Sequence, residues 1–380
     1  MIKPLLLPSL KIRNFRAFED LKISTLGRVN LIVGNNNVGK TSLLEAVWLW
    51  ASRGDWDVVQ KIMQARDENI VADPDLQEYH SNGELNSLKY LFSDYPDFSS
   101  TLLKEKEIEF EISAVSYEEY LNKNLRFRIA NIDDGVKKGW FDRKKEFFYR
   151  DQVDYQICLY MSFGNLGCTL VTSLNTMKVN TSEWTNTLKP LRCPTCFVSS
   201  ADDNRSHLRQ MWDRAQMNSE DQKVLSELEV IFGTQIEKIF FLTFQNNSLI
   251  PMCKLRTNGL VIPLRNLGGG VIRVFEILLA MVNSQGGVLL IDEFENGLHY
   301  KIQPKAWEVI FEMAERLNVQ VFATTHSADA VRSFEQMAMQ RQDEKAGVVV
   351  QLTRFSKGIV ANPLYGDNIR LMYDCEEDLR

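Results

Sequence analysis

The chain has 380 residues, of which 44% are hydrophobic and 25% charged, and its 44 basic and 50 acidic side chains leave a net charge of −6. These values describe a globular protein of about two domains, or one large domain with an insertion, and exclude a collagen, a disordered tail and a protein coated in positive charge for nucleic acid. No apolar run reaches about 18 residues and the N-terminus lacks a secretory pattern, so the expected setting is cytoplasmic, with the six scattered cysteines as free thiols.

The first fifty residues read as two strands, Leu10 to Ile12 and Leu21 to Ile23, around a turn at Arg16. A continuous apolar strand, Val29 to Val33, follows, as expected for burial on both faces. A Gly-rich loop then leads into a helix from Thr41 to Trp50, with Leu44, Val47 and Trp48 on one face. Residues 53–105 are polar and helix-prone. Strands are expected over Ile108–Val115, Leu125–Ile132, Tyr155–Phe163 and Cys168–Ser173, and two short helices over 206–232. The last third alternates helix (271–283), strand (288–291), helix (301–317), strand (319–323), helix (328–339) and strands near 348–354 and 358–361. Alternation of this kind predicts an α/β fold with a mainly parallel sheet covered by helices.

The loop Gly34-Asn35-Asn36-Asn37-Val38-Gly39-Lys40-Thr41, followed by Ser42, fits G-x-x-x-x-G-K-[ST]. Its glycines let backbone N–H groups turn inward around phosphate, and the following helix adds a positive N-terminus. Lys40 is expected at the β- and γ-phosphates of a nucleotide and Thr41 on magnesium. The strand Val288–Ile291 ends in Asp292 and Glu293, at the strand end where open α/β sheets bind ligands. Asp292 would complete the magnesium shell and Glu293 would deprotonate the attacking water. A further strand ends in Thr324-Thr325-His326-Ser327. His326 there can donate to the γ-phosphate or simply begin the next helix, which Ser327 is better suited to cap.

A second cluster, Leu267-Gly268-Gly269-Gly270, precedes another helix and forms a second anion-binding N-terminus. One chain needs one cradle for its own nucleotide, so this one suits a nucleotide held by another subunit, with Arg273 adding charge toward it; a plain strand-to-helix turn is the alternative. Cys193-Pro194-Thr195-Cys196 lacks a second ligand pair for zinc and reads as free thiols. Residues 137–150 interleave six basic residues with aromatics, which suits either a nucleic-acid backbone or a solvated hairpin.

Together, Asn14-Phe15-Arg16, GNNNVGKTS, LGGG, LLIDEFENGLH and TTHS resemble an ABC-type ATPase head of the RecF, SMC and OLD group. The resemblance covers residues 9–52 and 260–365 well. It implies a P-loop NTPase head with a mixed sheet flanked by helices: residues 1–52 carry the Walker A part, 53–205 an inserted helical and β-rich segment completing the first lobe, and 206–380 a helical lobe with signature, Walker B and switch histidine. By the same resemblance Gly34 to Ser42 are Walker A, Leu290 to Glu293 Walker B, Leu267 to Gly270 the signature without its usual serine, Asn296 to His299 the D-loop and His326 the switch histidine. Arg16 corresponds to an arginine that reaches the nucleotide phosphates, although a surface arginine in a tight turn fits the residues too; Gln60 and Gln64 are weak candidates for the glutamine loop.

The resemblance further implies ATP and Mg2+ as cofactors and a head-to-head homodimer around two nucleotides. The chain has no heptads for SMC arms, and the 54 residues after His326 are too few for a TOPRIM nuclease. Compact OLD-like ATPases of PARIS-type and AbiL-type bacterial defence systems are similar in plan. They imply a switch that controls a separate effector, such as a small TOPRIM-like nuclease. The rival expectation is a RecF-like DNA-binding repair ATPase; neither involves a membrane.

Overall fold

The computed structural model describes residues 4–68, 87–96, 108–114, 123–131, 137, 157–164, 166–172, 192–200, 205–243, 249–268 and 270–369. Most of the 137–150 basic stretch and Gly269 therefore lie outside the described residues.

Three strands at the heart of the central sheet have every residue in a core. β3 (Val29–Val33), β12 (Val288–Ile291) and β13 (Gln320–Thr324) are buried throughout. With β8 (Thr195–Val198), β14 (Gly347–Phe355) and β15 (Gly358–Leu364) they run in the order β15-β14-β3-β13-β12-β8, all parallel except the antiparallel edge strand β15. Successive residues alternate between two hydrophobic cores, as the strand period of two requires. Ile32, Leu290, Phe322 and Val350 face one, and Leu31, Leu289, Val321 and Val349 the other.

The first core lies between this sheet and a second, antiparallel one, ordered β2-β1-β4-β5-β6-β7, formed by β1 (Leu10–Phe15), β2 (Phe18–Ile23), β4 (Ile108–Ser113), β5 (Leu125–Asn131), β6 (Ile157–Phe163) and β7 (Leu166–Thr172). Helix α1 (Lys40–Ala51) fills the gap, with α2 (Trp56–Gln64) beside it. The 53–205 stretch thus adds strands to both sheets. Helix α1 departs from the one-face expectation: Leu43, Leu44, Ala46, Val47, Leu49, Trp50 and Ala51 are all buried, because sheets cover it on both sides. Trp48 is only partly buried and stacks on Phe197 of β8 at 4.9 Å.

The second core is covered by α3 (Arg205–Met217), α4 (Asp221–Phe232), α5 (Val271–Asn283), α6 (Gln303–Arg316) and α7 (Ala328–Met339). Pro304 in the first turn of α6 fits the missing N–H donors of a helix start and moves that start past residue 301. A three-stranded antiparallel sheet, β9 (Ile236–Thr243), β10 (Leu249–Leu255) and β11 (Val261–Pro263), fills the stretch between the helices expected over 206–232 and 271–283, where no element is expected. Pro251 and Pro263 argue against strands there, yet β10 pairs on both sides. Among the described residues no helix is long and apolar enough to cross a membrane.

Trp307 on α6 is fully buried, stacks on Phe294 at 3.9 Å, meets Phe334 edge-on at 5.1 Å and donates its indole N–H to the Ala330 carbonyl. It is the floor under the loop that follows β12. Trp307→Ala is expected to lower the unfolding free energy by about 3–5 kcal/mol, measured by urea denaturation.

Candidate active site

The phosphate loop leaves β3 at Gly34 (φ 144°), turns at Asn37 (φ 60°) and enters α1 through Gly39, which caps the helix in the left-handed conformation (φ 92°). A side chain at Gly39 would also press on Phe18, 2.9 Å from its would-be Cβ. Helix α1 has no side-chain cap, so its first N–H groups stay available to an anion. Lys40 folds across the loop and donates to the Gly34 carbonyl at 2.6 Å and the Asn35 carbonyl at 2.9 Å. Burial pulls its pKa down, opposed by the carboxylates of Glu295, Asp292 and Glu293.

A chain of hydrogen bonds joins this loop to the acidic strand end. Thr41 Oγ1 donates to the Asp292 carboxylate at 3.2 Å. Thr324, at the end of β13, donates to the same carboxylate at 2.7 Å and accepts the Glu293 N–H at 2.8 Å. Glu293 sits at φ 49°, a region that side chains other than glycine avoid, and this holds its backbone out of line with β12. Phe294 then turns inward onto Trp307 and donates its N–H to the Thr324 carbonyl at 2.9 Å.

Glu295 completes the lacing. Its carboxylate accepts the Thr325 hydroxyl at 2.6 Å and the His326 N–H at 2.7 Å. The His326 ring is exposed beside them, and Ser327 caps α7 with its hydroxyl on the Ala330 N–H. Thr324 and Glu295 stand in quoted motifs but carry no sequence-based role, because only the geometry shows what their side chains hold.

The second glycine loop begins in a 3-10 turn, Leu264–Leu267, and reaches α5 through Gly268 (φ 132°) and Gly270 (φ 81°). A Cβ on Gly270 would lie 2.5 Å from the Gly297 carbonyl, so this loop rests directly on the Asn296–His299 turn. Asn296 donates to the Ser200 carbonyl, while His299 is exposed and meets Tyr300 at a tilt, with ring centroids 4.4 Å apart.

Two arginines depart from their expected places. Arg273 does not point outward toward a phosphate. It is partly buried and donates to the carbonyls of Ser199 at 2.7 Å and Asp292 at 2.6 Å, with Glu276 3.5 Å away. It therefore ties β8 to β12, and the carbonyls at two parallel strand ends supply the acceptors that draw it inward. Arg16, at φ 54° in the β1–β2 turn, is buried as well. Its Nε lies 3.2 Å from the Glu45 carboxylate, and its NH1 donates to Glu68 and to the Tyr90 carbonyl. These acids hold it beside α1 rather than over the phosphate loop.

Further polar side chains near the loop have no motif to announce them. Arg66 donates to Glu45 at 2.7 Å and to the Ser42 hydroxyl at 3.2 Å. Burial alone would lower its pKa, but Glu45, Glu68 and Asp292 outweigh it and the net shift is upward. Arg354, near the β14–β15 turn, donates to the Asn37 carbonyl at 2.9 Å. Gln60 and Gln64 are exposed on α2. The Cys193 and Cys196 thiols are free and pack against different cores; Cys193 accepts a hydrogen bond from Arg53 at 3.2 Å.

Thr41 and Asp292 form a pair of hard oxygen donors at the mouth of a phosphate-type loop, which suits Mg2+ shared with a bound polyphosphate. Comparisons with known proteins agree with this chemistry. Residues 6–165 match the family model described as "AAA ATPase domain", and residues 190–332 the one described as "AAA domain, putative AbiEii toxin, Type IV TA system". An "ATP/GTP phosphatase" of Helicobacter pylori is 23% identical over 98% of this chain and all of its own length. The DNA replication and repair protein RecF of Bacillus cytotoxicus is 43% identical over 42 residues, 11% of either chain. Among solved structures, an SmcHead bound to the C-winged helix domain of ScpA is 11% identical with a TM-score of 0.47, over 97% of this chain and 100% of that one.

Arg273→Ala is expected to lower unfolding stability by about 1.5–3 kcal/mol through the carbonyls it abandons. ATP affinity should change by less than about threefold, since the side chain meets backbone and not phosphate. Urea denaturation and nucleotide titration separate the two effects. The matched AAA stretches carry the phosphate loop and the acidic strand end, and the chain is a P-loop ATPase.

Proposed function

We propose that this ATPase is a nucleotide-driven dimerisation switch. The observation that carries the reading is the Thr41–Asp292–Thr324–Glu293 hydrogen-bond chain, which brings a phosphate loop and a strained acidic strand end to one place.

In this reading Lys40 leaves the Gly34 and Asn35 carbonyls and takes the β- and γ-phosphates of ATP, together with the loop and helix N–H groups from Asn35 to Ser42. Thr41 and Asp292 would hold Mg2+, whose charge would offset that developing on the phosphates. Glu293 orients a water molecule and takes its proton as the oxygen attacks the γ-phosphorus and ADP leaves. His326 donates to the γ-phosphate. Leu267 to Gly270, resting on the Asn296–His299 turn, face the nucleotide of a second copy of the chain. ATP therefore holds two heads together, and hydrolysis lets them part.

The description attached to the 190–332 match, which names an AbiEii toxin and a type IV toxin–antitoxin system, supports a place in bacterial anti-phage defence. There the dimer would hold or release a separate effector protein such as a small nuclease. The local identity to a RecF protein supports a second reading, in which the closed dimer binds DNA. Affinity purification with neighbouring genes co-expressed distinguishes them: a stably bound effector fits the first, and DNA alone the second.

Lys40→Ala is expected to abolish ATP binding, measured by calorimetry. Glu293→Gln should keep ATP binding, lower kcat by about 100-fold or more and accumulate a dimer in ATP, visible by light scattering. Hydrolysis at the parent rate by the Glu293→Gln protein would rule out the base assignment.

A further inference from the structure

The loop after β12 is laced to the end of β13 residue by residue. The Glu293 N–H bonds the Thr324 hydroxyl, the Phe294 N–H bonds the Thr324 carbonyl, and the Glu295 carboxylate bonds both the Thr325 hydroxyl and the His326 N–H. The first two contacts fix backbone. The third is made by a side chain alone, at 2.6 and 2.7 Å, and it sets the segment that carries His326. One oxygen serves each donor, so both oxygens of the carboxylate are engaged by the neighbouring loop.

Glu295 also starts the turn that supports the second glycine loop. Its carbonyl accepts the Leu298 N–H at 2.8 Å, and Gly297 and Leu298 are the residues a Cβ on Gly270 would strike. A contiguous path of contacts therefore runs from Gly270 through Gly297, Leu298 and Glu295 to His326.

We infer that Glu295 is a positioning residue: it holds the His326 loop in place and makes that place depend on how the Asn296–His299 turn is packed beneath Gly270. This rests on the ATPase reading above. When a second copy's nucleotide presses on the glycine loop, the shift passes through the Glu295 turn to His326, next to the chain's own nucleotide. The two sites of a dimer would then report to each other through one carboxylate.

The test uses the full chain and steady-state ATP hydrolysis. Glu295→Ala removes both acceptors and lets the His326 loop drift; kcat is expected to fall about ten- to a hundredfold while KM for ATP changes by less than about threefold. Glu295→Gln keeps an acceptor for the His326 N–H and can donate to the Thr325 hydroxyl, so kcat should return to within about threefold of the parent. Parent-level kcat in Glu295→Ala would overturn the inference. So would a Glu295→Gln protein as slow as Glu295→Ala, because the charge rather than the geometry would then be at work. A rise in KM with unchanged kcat would overturn it as well. Failure of the ATPase reading looks different: the parent itself would not hydrolyse ATP, or Lys40→Ala would hydrolyse it equally well.

Discussion

Asp292 accepts hydrogen bonds from two threonines that come from opposite ends of the chain, Thr41 and Thr324. The rest of the site depends on this meeting. A carboxylate at the end of a fully buried strand needs partners, since an ionised group without them is costly to bury. Here the partners are the first turn of the helix after the phosphate loop and the last residue of the neighbouring strand. The same contacts that satisfy the acid bring the loop, the acidic turn and the histidine segment within reach of one ligand. Satisfying a buried charge and assembling the site are one event.

The two-sided core makes that event rigid. Because β3, β12 and β13 are covered on both faces, their ends move only with the whole sheet. Arg273 strengthens the edge by joining the carbonyl ends of β8 and β12, where parallel strands finish without partners of their own. Trp307 supports the acidic turn from below through Phe294. The strained backbone at Glu293 persists because the surroundings determine it several times over: by its N–H bond to Thr324, by Arg273 near its carbonyl and by the buried ring that follows it.

Much of this was legible in the residues. The apolar runs before the phosphate loop and before Asp292 announce buried strands, and helix 271–283 and strand 288–291 lie where periodicity puts them. Motif spacing points to Thr41 and Asp292 as residues of one site. What the sequence hides is physical in origin. The strands β10 and β11 carry Pro251 and Pro263, so local pattern argues against them, and it is pairing with each other and with β9, and burial of Ile236, Ile239 and Cys253 in the second core, that make them strands. The strand β8 is made a strand by pairing with β12. Helix α1 reads as amphipathic only until a second sheet covers it. Glu295 and Thr324 look like ordinary polar residues at strand ends, because a side chain that positions another has no composition of its own.

Arg16 shows how geometry redirects a residue that motif reading assigns to phosphate. It is buried between Glu45 and Glu68, and Glu45 is shared with Arg66. Burial raises the pKa of Glu45 and the two guanidiniums lower it, so withdrawing either would leave a carboxylate poorly paired inside the protein. Breaking such a buried pair costs about 3–5 kcal/mol. In this arrangement Arg16 fastens the β1–β2 turn to helix α1. The arginines bonded to the phosphate loop and the helix behind it are Arg354, on the Asn37 carbonyl, and Arg66, on the Ser42 hydroxyl, and neither stands in a motif.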